Sequence, residues 1–210
     1  MLNGIQHVNS ILNDIQEIFT HMEVIAVVAR NKKPQPADEK REEIIAAARK
    51  LFVEGGYDAT SMSKLAKEAG VTANTIYWYF GDKDDVLVAV VSAVMADAWP
   101  QYQAISGEPI AARVLWIVRR LSEMSTLVTT VHARVTHSPA VAEWHNNFHL
   151  LTGSLFRAEL EAAGVPAETV DAEVMIAVFT VEGLLMHTQD ENEQRAICDT
   201  LASRWPSITG

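Results

Sequence analysis

Cysteine is almost absent from this sequence of 210 residues, in which Cys198 is the only one. An internal disulfide is therefore excluded, and so is a zinc site assembled from several thiolates of one chain. Between Ile197 and Leu201, Cys198 suits a small packed residue better than a redox centre. Long apolar runs are also missing: the longest, Val86 to Ala96, falls well short of the ~20 residues that cross a bilayer. The N-terminal stretch scatters Asp14, Glu17 and Glu23 where a secretory signal needs a basic flank and an apolar core, so export is not expected. These features predict a cytoplasmic protein without a membrane span. Positive charge is scarce, since 17 Lys and Arg against 27 Asp and Glu leave a formal net charge of -10. That balance excludes a uniformly basic nucleic-acid binder. No nucleophile elbow, phosphate-binding loop or His-Glu-x-x-His pattern occurs, so no catalytic residue, cofactor or metal is expected. Internal repeats, low-complexity tracts and period-two alternation are absent as well, which leaves an all-α chain.

What is present is enough apolar material for a real core, 49% of residues, with 21% charged. The informative stretch runs from Thr60 to Lys83. Thr60 and Ser61 place hydroxyls at a helix start, where the first N–H groups lack intrahelical partners, and Met62, Leu65, Ala66 and Ala69 recur at helical spacing. Gly70 supplies the left-handed residue that ends such a helix, and Val71 can fill the angle behind it. Thr72 is a second N-cap. It opens a helix whose Ile76 and Phe80 share an inner face, while Ala73, Asn74, Thr75, Tyr77 and Trp78 lie around the rest. Two short helices about a glycine turn form a helix-turn-helix, in which the second helix enters the DNA major groove.

On these residues the segment from about Arg41 to Val91 resembles the DNA-binding domain of the tetracycline-repressor (TetR) family of transcriptional regulators. Ile44, Ala48, Leu51 and Phe52 stand on its first helix. Gly70-Val71-Thr72, Ile76-Tyr77-Trp78-Tyr79-Phe80 and Lys83 follow the family signature, with Tyr79 where the family often carries His. The resemblance implies a three-helix helix-turn-helix domain followed by a helical ligand-binding and dimerisation domain, and it covers about a quarter of the chain. Thr72, Ala73, Asn74 and Thr75 are then the candidates for base edges, since Asn pairs with adenine and the methyls of Thr and Ala meet that of thymine. Thr60, Tyr77, Tyr79 and Lys83 are the candidates for phosphates. Lys83 is otherwise anomalous, because a cation in a first helical turn opposes the helix dipole.

The expected organisation is an extension over residues 1–36, the DNA-binding domain over 37–85 and the helical body over 86–210. In the extension, Ile5, Val8, Leu12, Ile15, Phe19 and Met22 make a short heptad stripe that docks on the body or a second copy, unless Met22 is the true start. Lys32-Lys33-Pro34-Gln35-Pro36 then forms a stiff basic arm, either a phosphate contact or a solvated linker, before Asp38 caps the next helix. From Arg30 to Asp85, ten basic residues balance ten acidic ones, so DNA affinity depends on a focused patch. Asp82 caps a long helix that Pro100 is expected to stop. Later breaks fall at Gly107 to Pro109, Ser138 to Pro139, Gly164 to Pro166 and Asp190.

In the body, Trp116, Met124, His132, Trp144, His145 and Phe148 are candidates for the wall of a pocket, suited to an organic, partly apolar effector. His145 and His149 have metal-compatible spacing, but without a third ligand in the pattern no metal is assigned. Ala167 to Thr188 and Glu193 to Ser203 read as paired helices with a shared seam, which the resemblance makes a homodimer interface. A dimer also follows from the physics, because one short recognition helix reads few base pairs and two related by a two-fold axis read a palindromic operator in double-stranded DNA. The resulting expectation is a repressor released by a small-molecule effector. The alternatives are a helix-turn-helix scaffold without DNA binding, and an enzyme using the helical body.

Overall fold

The computed structural model describes residues 36–187 and 190–205. Among them are nine α-helices and no strand: α1 Pro36–Gly55, α2 Met62–Glu68, α3 Ala73–Tyr79, α4 Lys83–Ala104, α5 Ile110–Glu123, α6 Ser125–Arg134, α7 Pro139–Ala162, α8 Val170–Met186 and α9 Glu191–Ala202. The expected all-α architecture is therefore what the chain adopts. No helix among the described residues is long and apolar enough to cross a membrane. The heptad stripe from Ile5 to Met22 and the basic arm at Lys32 to Gln35 lie outside the described residues.

Three local expectations need correction. Helix α1 already includes Pro36, so Asp38 lies in its first turn and complements the dipole rather than capping the helix. Pro100 does not stop α4, which continues through it to Ala104; a proline removes one N–H and crowds one carbonyl, and the flanking turns tolerate that loss. Helices α5 and α6 are separated at Met124, whose backbone (φ -112, ψ 22) leaves the helical region. No glycine or proline marks that break.

The chain divides into two compact units, one holding residues 36–99 and 124–146, the other 100–123, 147–187 and 190–205 among those described. The first unit is built around the apolar positions of α1, α2, α3 and α4. Ile44, Phe52, Leu65, Ile76, Leu87 and Val90 are wholly buried there, joined by Leu127 and Val131 of α6. Each such side chain contributes about 1.5–3 kcal/mol relative to exposure. In the second unit Val114, Leu115 and Val118 of α5 form the spine, against Leu160 of α7, Ala177 and Leu184 of α8, and Cys198 and Leu201 of α9. Both α8 and α9 pack on α5, and Glu173 of α8 accepts from Arg204 and Trp205 just past α9. Cys198 is buried, and that burial pushes its thiol up, leaving it a packing residue.

Candidate nucleic-acid interface

The helix-turn-helix is held by local hydrogen bonds at each junction. Ser61 is extended (φ -92, ψ 158) and its hydroxyl accepts from the Lys64 N–H at 3.1 Å, starting α2. Gly70 is left-handed at φ +65, with open space where a Cβ would lie, so the backbone conformation rather than crowding selects glycine. The Val71 N–H then closes onto the Ala66 carbonyl at 2.9 Å. Thr72 repeats the device for α3: its hydroxyl accepts from the Thr75 N–H at 3.1 Å and lies 2.9 Å from the Thr75 hydroxyl.

The inner face of α3 is Ile76, followed by Phe80, both buried. Of the base-edge candidates, Thr72 and Asn74 are exposed while Ala73 and Thr75 are half-buried. Tyr77 is 53% and Trp78 73% exposed, and three- and four-residue spacing places both beside Asn74 on the outer face. An indole this exposed, in edge contact with Tyr79 at 4.7 Å between centroids, is surface that excludes water only when something docks on it. Tyr79 is half-buried and packs against the core.

Two phosphate candidates take different roles from those expected. Thr60 is 1% exposed and its hydroxyl donates to the Gly56 carbonyl at 2.9 Å. That leaves no hydroxyl surface for a phosphate, and Thr60 is a structural pin of the turn before α2. Lys83 is half-buried; its ammonium donates to the Tyr57 carbonyl at 2.9 Å and sits 3.9 Å from the Tyr57 ring centroid. Burial draws the Lys83 pKa down, against the opposing pull of Asp58 and Asp84. The cation in the first turn of α4 is thus explained by a cation–π contact and a carbonyl, without invoking DNA. Asp82 caps that turn as expected, accepting from the Asp85 N–H at 2.9 Å, while the Asp85 carboxylate accepts from the Gly81 N–H at 3.0 Å.

Beneath Lys83 lies a cluster that sequence reasoning missed. The Asp84 carboxylate, 8% exposed, accepts from the Tyr57 hydroxyl at 2.5 Å and from Arg134 Nε and Nη2 at 3.0 and 2.7 Å. It ties the end of α6 to the start of α4 and to the loop preceding α2. Asp84 and Arg134 are 50 positions apart, and no motif relates them.

Several cations of this unit are neutralised by neighbours: Lys40 by Glu43, Arg49 by Asp97 and Lys50 by Glu68. Lys64 and Lys67 on α2 are exposed and form no ion pair among the described residues. They are exposed positive charge on the helix that packs against α3.

The pocket candidates are distributed between the units. Met124, His132, Trp144 and His145 belong to the first, Trp116 and Phe148 to the second. Trp144 Nε1 donates to the Ser92 hydroxyl at 3.0 Å, and the His132 and His145 rings meet at 5.3 Å between centroids. In the second unit Trp116 faces Tyr102 at 5.9 Å and Phe148 faces His149 at 5.4 Å.

The family model for bacterial regulatory proteins of the tetR family matches residues 44–90, the stretch from Ile44 on α1 through Val90 on α4. The helix-turn-helix domain belongs to the TetR family. Among curated TetR-like relatives, the chain is 47% identical over 62 residues to the HTH-type transcriptional regulator HbdR of Aromatoleum sp. (strain CIB), covering 30% of this chain and 27% of that one. It is 36% identical over 84 residues to AcrR of Shigella flexneri, covering 38% and 39% of the two chains. The matches thus span about a quarter to two-fifths of those relatives' length. Solved structures extend the likeness in fold alone: Salmonella enterica GusR superposes with a TM-score of 0.62 at 21% identity over 82% of this chain and 96% of that one. NalD, the secondary repressor of the MexAB-OprM multidrug efflux pump in Pseudomonas aeruginosa, gives 0.62 at 18% identity over 81% and 97%.

Proposed function

We propose that this TetR-family protein is a sequence-specific DNA-binding regulator, a repressor that a small organic effector releases from a palindromic operator. The observation that carries the reading is the outer face of α3, where Asn74, Tyr77 and Trp78 are exposed above a buried Ile76 beside the unpaired cations of α2. In this reading Asn74 and Thr75, with Thr72 and Ala73, meet base edges, and Tyr77 and Tyr79 meet phosphates, with Lys64 and Lys67 as further phosphate contacts. Residues 37–85 read DNA and residues 86–210 carry effector response and dimerisation, a functional division separate from that of the compact units. The protein acts by binding rather than by catalysis. It is tested by gel shift of the full chain on DNA flanking its own gene. Retardation of one such fragment at low salt, lost on a scrambled fragment, is expected; failure on every flanking fragment at low salt, where phosphate attraction is strongest, would refute the reading.

Two-fold reading of a palindrome needs two copies, and α8 offers the surface. Met175, Phe179 and Met186 are 46%, 61% and 74% exposed, and their spacing of four and seven residues puts them on one stripe of the helix. A second copy related by a two-fold axis would bury the same stripe from both sides. Phe179→Glu is expected to weaken self-association by roughly a hundredfold or more, since each copy loses an aromatic and gains a charge. Sedimentation velocity reads this directly. An unchanged dimer would place the interface elsewhere.

A further inference from the structure

Among the described residues five polar or charged ones are buried, Thr60, Asp84 and Ser138 in the first unit and Arg113 and Glu159 in the second. The three in the first unit are satisfied: Thr60 by the Gly56 carbonyl, Asp84 by Tyr57 and Arg134, and Ser138 by the Val141 N–H at 3.4 Å. The pair in the second unit differs. Arg113 Nη1 on α5 donates to Glu159 Oε1 on α7 at 2.6 Å, and the Tyr102 hydroxyl at the end of α4 donates to the same oxygen at 2.8 Å. Arg113 Nε and Glu159 Oε2 have no hydrogen-bond partner among the described residues, although the two residues are only 6% and 7% exposed.

An unmet donor and an unmet acceptor in an apolar core cost free energy without return, which is why native structures retain few of them. Here they belong to the same guanidinium and the same carboxylate that already meet through Nη1 and Oε1. Both unmet atoms therefore belong to one buried ion pair. The flanking surface is aromatic, with Trp116 of α5 against the Tyr102 ring. Burial pushes the Glu159 carboxyl up despite the opposing pull of Arg113 and Tyr102, as expected of an acceptor short of donors.

We propose that Arg113 and Glu159 are the polar anchor of the effector site, and that the effector is an uncharged amphiphile. Its hydroxyl or amide group accepts from Arg113 Nε or donates to Glu159 Oε2, and its apolar body lies against Tyr102 and Trp116. The ligand is uncharged because the anchor is already a neutral pair: an anion would face Glu159, a cation would face Arg113, and either would bring an uncompensated charge into the core. This assignment rests on the effector-responsive reading of the protein.

The test uses four probes that share one ring, benzyl alcohol and benzamide against benzoate and benzylammonium, added to the full chain without DNA. Tryptophan fluorescence and the melting temperature are followed. Both neutral probes are expected to raise Tm and alter the fluorescence of the wild type, and the charged pair to do neither. In Arg113→Met with Glu159→Leu, where apolar isosteres replace a buried ion pair and such cores usually remain folded, the neutral response should vanish. If that variant does not fold, Glu159→Gln is expected to weaken both neutral probes about tenfold. Equal response to charged probes, an undiminished response in the variants, or no wild-type response to any probe overturns the proposal, the last meaning that the pair holds only water. A parallel operator gel shift separates the two readings, because loss of wild-type DNA binding counts against the regulator and leaves the probe result standing by itself.

Discussion

Asp84→Ala is expected to lower the unfolding free energy by about 3 kcal/mol, the lower end of the range for breaking a buried ion pair from one side. The carboxylate it removes is 8% exposed and serves Tyr57 and both Arg134 nitrogens. Its loss strands a buried tyrosine hydroxyl and a guanidinium whose side chain is 30% exposed. That partial exposure lets water solvate Arg134, which holds the cost to the low end. The effect also has a pH signature. Burial pushes the Asp84 carboxyl up, but hydrogen bonds from Arg134 and Tyr57, with the guanidinium charge, outweigh it and hold the folded value below the ordinary one. A depressed carboxylate is protonated first in the unfolded chain, so its stabilisation is complete above the unfolded value of about 3.9 and is lost as pH falls through the lower folded value. Urea unfolding of wild type and Asp84→Ala at neutral pH and again below about pH 3 checks this. The difference between them should shrink in acid, and a constant difference would deny the carboxylate its role.

Asn74→Ala is expected to weaken operator binding by roughly 2–6 kcal/mol, from one base contact of about 1–3 kcal/mol in each of two half-sites. Binding to unrelated DNA should be nearly unchanged. Asn74 is exposed on the outer face of α3, and its removal disturbs neither the Thr72 cap nor the buried Ile76. Lys67→Ala makes the contrast: its ammonium is exposed on α2, so its loss should reduce affinity for all sequences alike while leaving stability nearly unchanged. Fluorescence anisotropy on the operator and on scrambled DNA at one salt concentration measures both. Equal losses for Asn74→Ala on the two DNAs would show that it does not read bases.

What the sequence makes legible is confined to neighbours along the chain. Ser61 and Thr72 as caps, Gly70 as the left-handed residue and Ile76 with Phe80 as an inner face all depend on hydrogen bonds and packing within one or two turns. The same holds for Asp82 at the start of α4 and for the breaks at Ser138 and Gly164. The structure departs from such local rules at Pro100, where a proline is absorbed into a long helix, and at Met124, where a helix ends without any breaker.

The remaining features depend on residues far apart in sequence. Thr60 looked like a hydroxyl for phosphate until the loop before α2 turned it onto the Gly56 carbonyl. Lys83 looked like a cation in search of DNA until folding laid it over Tyr57. The Asp84–Arg134 and Arg113–Glu159 pairs, and the packing of both α8 and α9 on α5, join helices whose own periodicity says only that each has an apolar side. The sequence by itself determined the helices, the turn and the outward face of α3, because side-chain spacing and backbone conformation are local properties. Only the tertiary structure decided which charges are neutralised, which hydroxyls are spent inside and which polar atoms are left unmet, because those outcomes depend on which apolar faces meet.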